Sequence, residues 1–181
     1  MLIGLYSPVP RSGKTTVATF LLRHLGFSRV PFAQILKDMT RPILQSVGYS
    51  SQEILALEAG DKTEIIEPLG VSLRRIYQTL GTEWGRDCIN PNMWTLLWHA
   101  RVSDMLAADV DVVADDVRFP NEYDLIRSMG GQVWKITRPN TDMTCGHSSE
   151  NGLEDKYFDR VVENNNTLWD LVTRLQDIPL G

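Results

Sequence analysis

Cysteine is scarce: there are two in 181 residues, Cys88 and Cys145, far apart in the chain. They make neither a disulfide framework nor a zinc-ligand pattern, and a reducing cytoplasm is the simplest compartment for such a chain. A basic excess is lacking as well. The 18 Lys+Arg stand against 23 Asp+Glu, a formal net charge of −5, which argues against a general binder of nucleic-acid polymers. No apolar run approaches the ~18 residues that a membrane-crossing helix needs. The opening residues, Met1-Leu-Ile-Gly-Leu-Tyr6, have no basic stretch and no long apolar region, so no signal peptide is expected. Repeats, low-complexity tracts and Gly/Ser linkers are absent. What remains is 43% hydrophobic and 23% charged, a globular composition, and the length is that of one domain over 1–181.

The apolar pattern predicts strands alternating with helices. Leu2 to Tyr6 is a short apolar run stopped by Ser7-Pro-Val-Pro10, which reads as a buried strand. Helical spacing over 14–25 puts Val17, Phe20, Leu21 and Leu25 on one face, with Gly26 as the stop. A weak strand or turn covers 28–32, and 33–47 reads as a helix that Pro42 should kink or restart. A short helix spans 51–57. The stretch 59–71, with Gly60, Pro68 and Gly70, reads as a mobile connection. Ser72 is a good N-cap for a helix over 73–86, and Pro91 opens another reaching about 108. Residues 110–114 read as a buried strand ending at Asp115-Asp116, 120–129 as a helix closed by Gly130-Gly131, and 133–137 as a strand. The polar stretch 138–157 is expected to form a lid, before a strand at 160–163 and a helix over 167–176. Such alternation implies an α/β fold of three layers, a mostly parallel sheet with helices on both faces. Ligands on such a sheet sit beyond the carboxyl ends of its strands.

The sharpest local signal lies at one of those ends. Arg11-Ser12-Gly13-Lys14-Thr15-Thr16 falls between the first strand and the first helix. Gly13-Lys14-Thr15 matches the last three positions of the phosphate-binding pattern G-x-x-x-x-G-K-[ST], while Pro8 stands at its first glycine. Gly13 lets backbone N–H groups turn inward as an anion nest, and the helix that follows adds its N-terminal dipole. Lys14 can reach nucleotide β- and γ-phosphates, and the Thr15 hydroxyl can ligate Mg²⁺. This motif gives nucleotide binding but not a reaction, since switches, ATPases and kinases share it.

Charges further along narrow the choice. Arg74, Arg75, Arg86, Arg118 and Arg138 lie near expected strand ends and helix starts in a chain with few lysines. Guanidinium groups suit bidentate phosphate recognition, and phosphoryl transfer between two phosphorylated partners gathers several negative charges at one point. Arg74 and Arg118 are the favoured functional pair. Asp115 and Asp116 could hold Mg²⁺ or its waters, accept from a substrate, or serve as a turn pair. Trp84 and Trp94 could form an apolar slot for a nucleobase or belong to the core. His147 and Glu150 lack the spacing of a metal site and fit a polar lid better.

Taken together, the chain resembles the phage-type deoxynucleoside monophosphate kinases. The resemblance is carried by Val9-Pro-Arg-Ser-Gly-Lys-Thr-Thr16, by Phe32-Ala-Gln-Ile-Leu-Lys-Asp38, by Ser72-Leu-Arg-Arg-Ile-Tyr-Gln-Thr-Leu-Gly-Thr-Glu-Trp-Gly-Arg-Asp87 with Trp94 following, and by Asp115-Asp-Val-Arg-Phe-Pro-Asn-Glu122 with Gly130-Gly131, Arg138-Pro139 and His147-Ser-Ser-Glu150. It implies a P-loop kinase fold, ATP as co-substrate with Mg²⁺, a deoxynucleoside monophosphate as acceptor, and a phage-encoded protein working in a host cytoplasm. It leaves a homodimer open. By position, Arg11, Ser12, Gly13, Lys14, Thr15 and Thr16 would bind ATP phosphates, with Mg²⁺ near Thr15 and Asp115. Leu36, Lys37 and Asp38 would line the acceptor pocket. Arg74 and Gln78 would meet the acceptor's phosphate and base, and Trp84, Trp94, Asp115 and Asp116 would border them. Lys14 would hold the donor, Arg74 and Arg118 would neutralise transition-state charge, and Arg138 would close over the site with 140–150. Two positions depart from the family pattern: Pro8 where a small residue is usual, and Thr15 where several members carry Asp. Dephospho-CoA kinase, another small-molecule P-loop kinase, and a nucleotide-binding module without phosphotransfer remain the alternatives.

Overall fold

The computed structural model describes residues 1–9, 12–138, 158–165 and 167–176. The chain divides into two compact units, one of residues 1–31 with 99–181 and one of residues 32–98.

The first unit is a parallel sheet of β1 (Leu2–Tyr6), β2 (Ser28–Arg29), β5 (Val112–Val117), β6 (Gln132–Thr137) and β7 (Arg160–Glu163), in the order β2-β5-β1-β6-β7. Every residue of β1 is buried, as a central parallel strand covered on both faces requires. On one face Ile3, Leu5, Val113, Trp134 and Ile136 pack with Val17, Phe20 and Leu21 of α1 (Lys14–Leu25) and with Leu171 and Leu175 of α7 (Leu168–Gln176). On the other face, Gly4 and Gly131 lie against Ile126 of α6 (Pro120–Ser128). The expected parallel sheet with helices on both faces is therefore present.

Two details of this unit differ from the sequence reading. Leu25, assigned to the apolar face of α1, is 39% exposed, because the last turn of the helix runs past the core. The acid pair does not follow a strand; it lies inside β5, whose ladder with β1 continues to Tyr6 opposite Val117.

The second unit holds α2 (Ala33–Ser46), α3 (Ser51–Ala59), a hairpin of β3 (Ile65–Ile66) and β4 (Val71–Ser72), and α4 (Leu73–Gln78). A π-helical segment, Thr79–Ile89, follows, and then the start of α5 (Met93–Ala107). Leu44, Ile54, Ile66 and Leu73 form its core, with Tyr49, Leu57, Leu69, Ile76 and Tyr77 packed around them. Arg41 clamps α2 to α3 through a bidentate pair with Glu58, both bonds 2.9 Å long. Pro42 does not restart α2; it sits on the exposed side of a continuous helix. The stretch 59–71 is a structured hairpin rather than a loose connection, since Ile66 is buried in the core. The helix expected over 73–86 begins as foreseen, with the Ser72 hydroxyl accepting from the Arg75 N–H, but it widens to π geometry at Thr79.

Candidate active site

In the first unit the parallel strands bring their carboxyl ends to one edge. Tyr6 ends β1, Arg118 follows β5, Arg138 follows β6 and Asn164 follows β7. The phosphate loop leaves β1 at the centre of that edge, flanked by the strands that lead to Arg118 and Arg138. Gly13 takes φ 107° at the head of α1, a left-handed conformation that favours glycine. No side chain caps this helix, so the dipole and first N–H groups of α1 are turned toward the loop.

Lys14 opens α1 half-buried, and its ammonium is held down to about 8. Loss of water around the charge is the main cause, and repulsion from Arg118 adds to it; Asp115 and Asp116 pull the other way. Asp115 is 6% exposed. One of its oxygens pairs with the Arg29 guanidinium at 2.7 Å, and the other, Oδ1, is buried with no hydrogen-bond partner among the described residues. The Ser12 hydroxyl is also buried and has none among them. The Arg118 backbone is fixed where α6 begins, its N–H and that of Phe119 both donating to the buried Glu122 carboxylate at 2.8 and 3.1 Å. Among the described residues the Arg118 guanidinium has no ion pair. Thr15 is exposed and Thr16 half-buried on the first turn. Arg11 lies outside the described residues, as do 139–157 with His147, Glu150 and the body of the expected lid.

In the second unit Leu36, Lys37 and Asp38 lie along the first half of α2, with Leu36 and Lys37 partly buried and Asp38 exposed. Asp38 is already engaged, accepting from Arg41 and Gln34 at 2.8 Å each. Arg74 is exposed at the start of α4, without an ion pair among the described residues; Gln78 ends the same helix. Trp84 keeps ring surface at 38% exposure, whereas Trp94 is buried. The Trp94 indole N–H donates to the Gly81 carbonyl at 2.7 Å, and its ring presses so closely on Gly85 that a Cβ there would come within 2.6 Å. Trp94 thus braces the π-helical turn and offers no open face to a base. The structure brings Ser12, Gly13, Lys14, Thr15, Thr16, Asp115, Asp116, Arg118 and Arg138 into one unit, and Leu36, Lys37, Asp38, Arg74, Gln78, Trp84 and Trp94 into the other.

Two residues of the site escaped the sequence reading. Arg29 carries the partner of Asp115, and Asn164 donates its side-chain amide to the Ser12 carbonyl at 2.9 Å. The only trace of the second was an asparagine run directly after a short strand.

A left-handed glycine at the head of an uncapped helix after the central strand, the lysine that follows it and arginines at the neighbouring strand ends are the features of a P-loop phosphotransferase. The same fold occurs in dephospho-CoA kinase from Campylobacter jejuni, which aligns over 97% of this chain and 93% of its own with a TM-score of 0.50 and 11% identity. The family model for deoxynucleotide monophosphate kinase matches residues 44–175, starting beyond the phosphate loop. A protein of Acanthamoeba polyphaga mimivirus described as a "putative deoxynucleotide monophosphate kinase" is 31% identical over 174 residues, 91% of this chain and 89% of that one. The deoxynucleoside-5'-monophosphate kinase of Escherichia phage T5 is 28% identical over 131 residues, and the deoxynucleotide monophosphate kinase of Escherichia phage RB69 is 31% identical over 108. The matches cover 68% and 59% of this chain, but only 50% and 44% of those two phage proteins. This chain belongs to the deoxynucleotide monophosphate kinase family, and so to the phosphotransferases.

Proposed function

We propose that the chain transfers the γ-phosphoryl group of ATP directly to a phosphate oxygen of a deoxynucleoside monophosphate, giving the diphosphate and ADP. The observation that carries this reading is the state of Lys14: a cation kept short of water and beside Arg118, in front of a glycine nest, is a site built to receive several negative charges. An acceptor phosphate is already ionised at neutral pH, so the reaction needs no strong general base. Positioning and charge neutralisation carry the rate. Lys14, with Ser12, Gly13 and Thr16, grips the donor phosphates. Arg118 and Arg138 stand at the strand ends beside them and neutralise transition-state charge. Arg74 and Gln78, with Leu36 and Lys37, hold the acceptor, and Trp84 offers its exposed ring to the base.

The residues also fit a magnesium ion accompanying ATP. The exposed Thr15 hydroxyl, the buried Oδ1 of Asp115 and the Asp116 carboxylate are hard oxygen donors of the kind that ion takes. When bound, it would supply charge neutralisation at the donor phosphates. No helix among the described residues is long and apolar enough to cross a membrane.

The test is ADP release from ATP and Mg²⁺ against a panel of deoxynucleoside monophosphates, ribonucleoside monophosphates and dephospho-CoA. Turnover should appear with one or more of the deoxynucleotides. It should fall by about 10²–10³ or more in Lys14→Met, the scale of removing one electrostatic clamp. Turnover with dephospho-CoA alone, or near-normal turnover in Lys14→Met, would overturn the reading.

A further inference from the structure

We propose that Asn164, the first residue beyond β7, is a positioning residue for the phosphate loop: its side-chain amide orients the Ser12–Gly13 peptide so that the Gly13 N–H is presented to the donor's phosphates. The inference rests on the loop being the donor cradle.

The Asn164 amide nitrogen donates to the Ser12 carbonyl at 2.9 Å, joining residues 152 positions apart. Among the described residues, no other side chain bonds the Ser12 or Gly13 backbone. A trans peptide carries its C=O and N–H on opposite sides, and the described chain has no cis bond. Drawing the Ser12 carbonyl toward Asn164 therefore sends the Gly13 N–H the other way. An unanchored peptide beside a glycine could rotate, because Gly13 has the conformational freedom to allow it. The Asn164 side chain also lies close against Gly13. A Cβ on Gly13 would come 2.6 Å from the amide nitrogen and 3.6 Å from Leu171 of α7. Glycine at 13 thus answers two demands: a φ of 107° and room for the residue that holds its peptide in place.

The contact requires a hydrogen-bond donor at the reach of the Asn164 side chain. Aspartate at 164 could not donate to a carbonyl, and it would set a negative charge beside the nest. Leucine would keep the shape and lose the bond. Asn164 is itself anchored, because the Asn164 N–H donates to the Thr137 carbonyl at 2.7 Å and so ties it to the end of β6.

Inorganic tripolyphosphate is the discriminating probe, since it carries the phosphates without a nucleoside. Its inhibition constant and directly titrated affinity should be measured with KM for ATP and for the acceptor in wild type, Asn164→Leu, Asn164→Ser and Asn164→Asp. Loss of one hydrogen bond from the cradle should weaken ATP and tripolyphosphate alike by about five- to tenfold, more in Asn164→Asp, with KM for the acceptor within about twofold. Thermal unfolding identifies variants that fail to fold; Asn164→Ser and the near-isosteric Asn164→Asp carry the test if the leucine variant does. Unchanged tripolyphosphate affinity in folded variants overturns the proposal. Weakened ATP with unchanged tripolyphosphate also overturns it, placing Asn164 against the nucleoside, and so does an equal rise in both KM values. Wild type that ignores tripolyphosphate overturns the cradle reading itself, a failure distinct from that of Asn164.

Discussion

Raising the pH from 7 to 9 should weaken ATP binding about tenfold through Lys14 alone. Burial and Arg118 outweigh the two carboxylates and bring the Lys14 ammonium from 10.5 to about 8. Roughly nine-tenths of the molecules then carry the charge at pH 7, and roughly a tenth at pH 9. A bound polyphosphate favours the ammonium, so binding at pH 8 should take up about half a proton per site. The same group affects folding with the opposite sign. Between about 8 and 10.5 the unfolded chain holds this proton and the folded chain does not, so the Lys14 contribution to stability rises with pH across that window while nucleotide affinity falls. Isothermal titration in two buffers of different ionisation enthalpy gives the proton count, and Kd from pH 7.5 to 9 gives the slope. The terminal phosphate of ATP is ionised throughout that range, so the ligand contributes little. Lys14→Arg stays charged and should flatten the profile. A constant Kd with no proton uptake would refute the reasoning.

Three further outcomes are expected. Arg29→Ala removes the partner of a buried carboxylate; since Arg29 is itself 44% exposed, the loss should be about 1–3 kcal/mol, read from urea denaturation at pH 7. Gly85→Ala forces a methyl group against the Trp94 ring and should cost about 1–3 kcal/mol, with a change in tryptophan emission that a surface substitution such as Ile89→Ala would not give. Arg74→Ala should raise KM for the monophosphate severalfold more than KM for ATP, and an ATP-only defect would assign it to the wrong ligand.

The centre of the sheet was legible because a parallel strand covered on both faces announces itself as a short unbroken apolar run, as Leu2–Tyr6 does. Leu2–Tyr6, Gln132–Thr137 and Arg160–Glu163 fell within a residue of their observed limits. The hairpin was not legible: β3 and β4 have two residues each, too few for a period of two to register. The π-helical turn escaped because its apolar residues still follow near-helical spacing. Within it the carbonyl of Gly81 accepts from the Trp94 indole, 13 positions away, a contact that no local pattern announces. The end of β5 was misjudged for a related reason. Two adjacent acids look like a turn, but Asp115 has its counter-charge on β2, 86 residues earlier in the chain. The site followed the same rule. Gly13, Lys14 and Thr15 sit together in one short motif and could be read locally, while the Arg29–Asp115 pair and the Asn164–Ser12 bond span the fold and could not.

The arginines make the same point in energetic terms. In sequence Arg74, Arg75, Arg86, Arg118 and Arg138 form one undivided group. Folded, Arg75 pairs with Glu83 at 3.0 Å and Arg86 donates to the Pro91 carbonyl at 3.3 Å, so each already has a partner that a phosphate would have to displace. Arg74 and Arg118 are exposed, and neither has an ion pair among the described residues. Arg118 stands in the first unit and Arg74 in the second. Arg118 is the more telling of the two, because it depresses Lys14 rather than being neutralised near it. Burial and the repulsion from Arg118 together outweigh Asp115 and Asp116 at Lys14, a cost to the fold that a bound anion would relieve. Only the part of that relief that grows in the transition state would speed phosphoryl transfer.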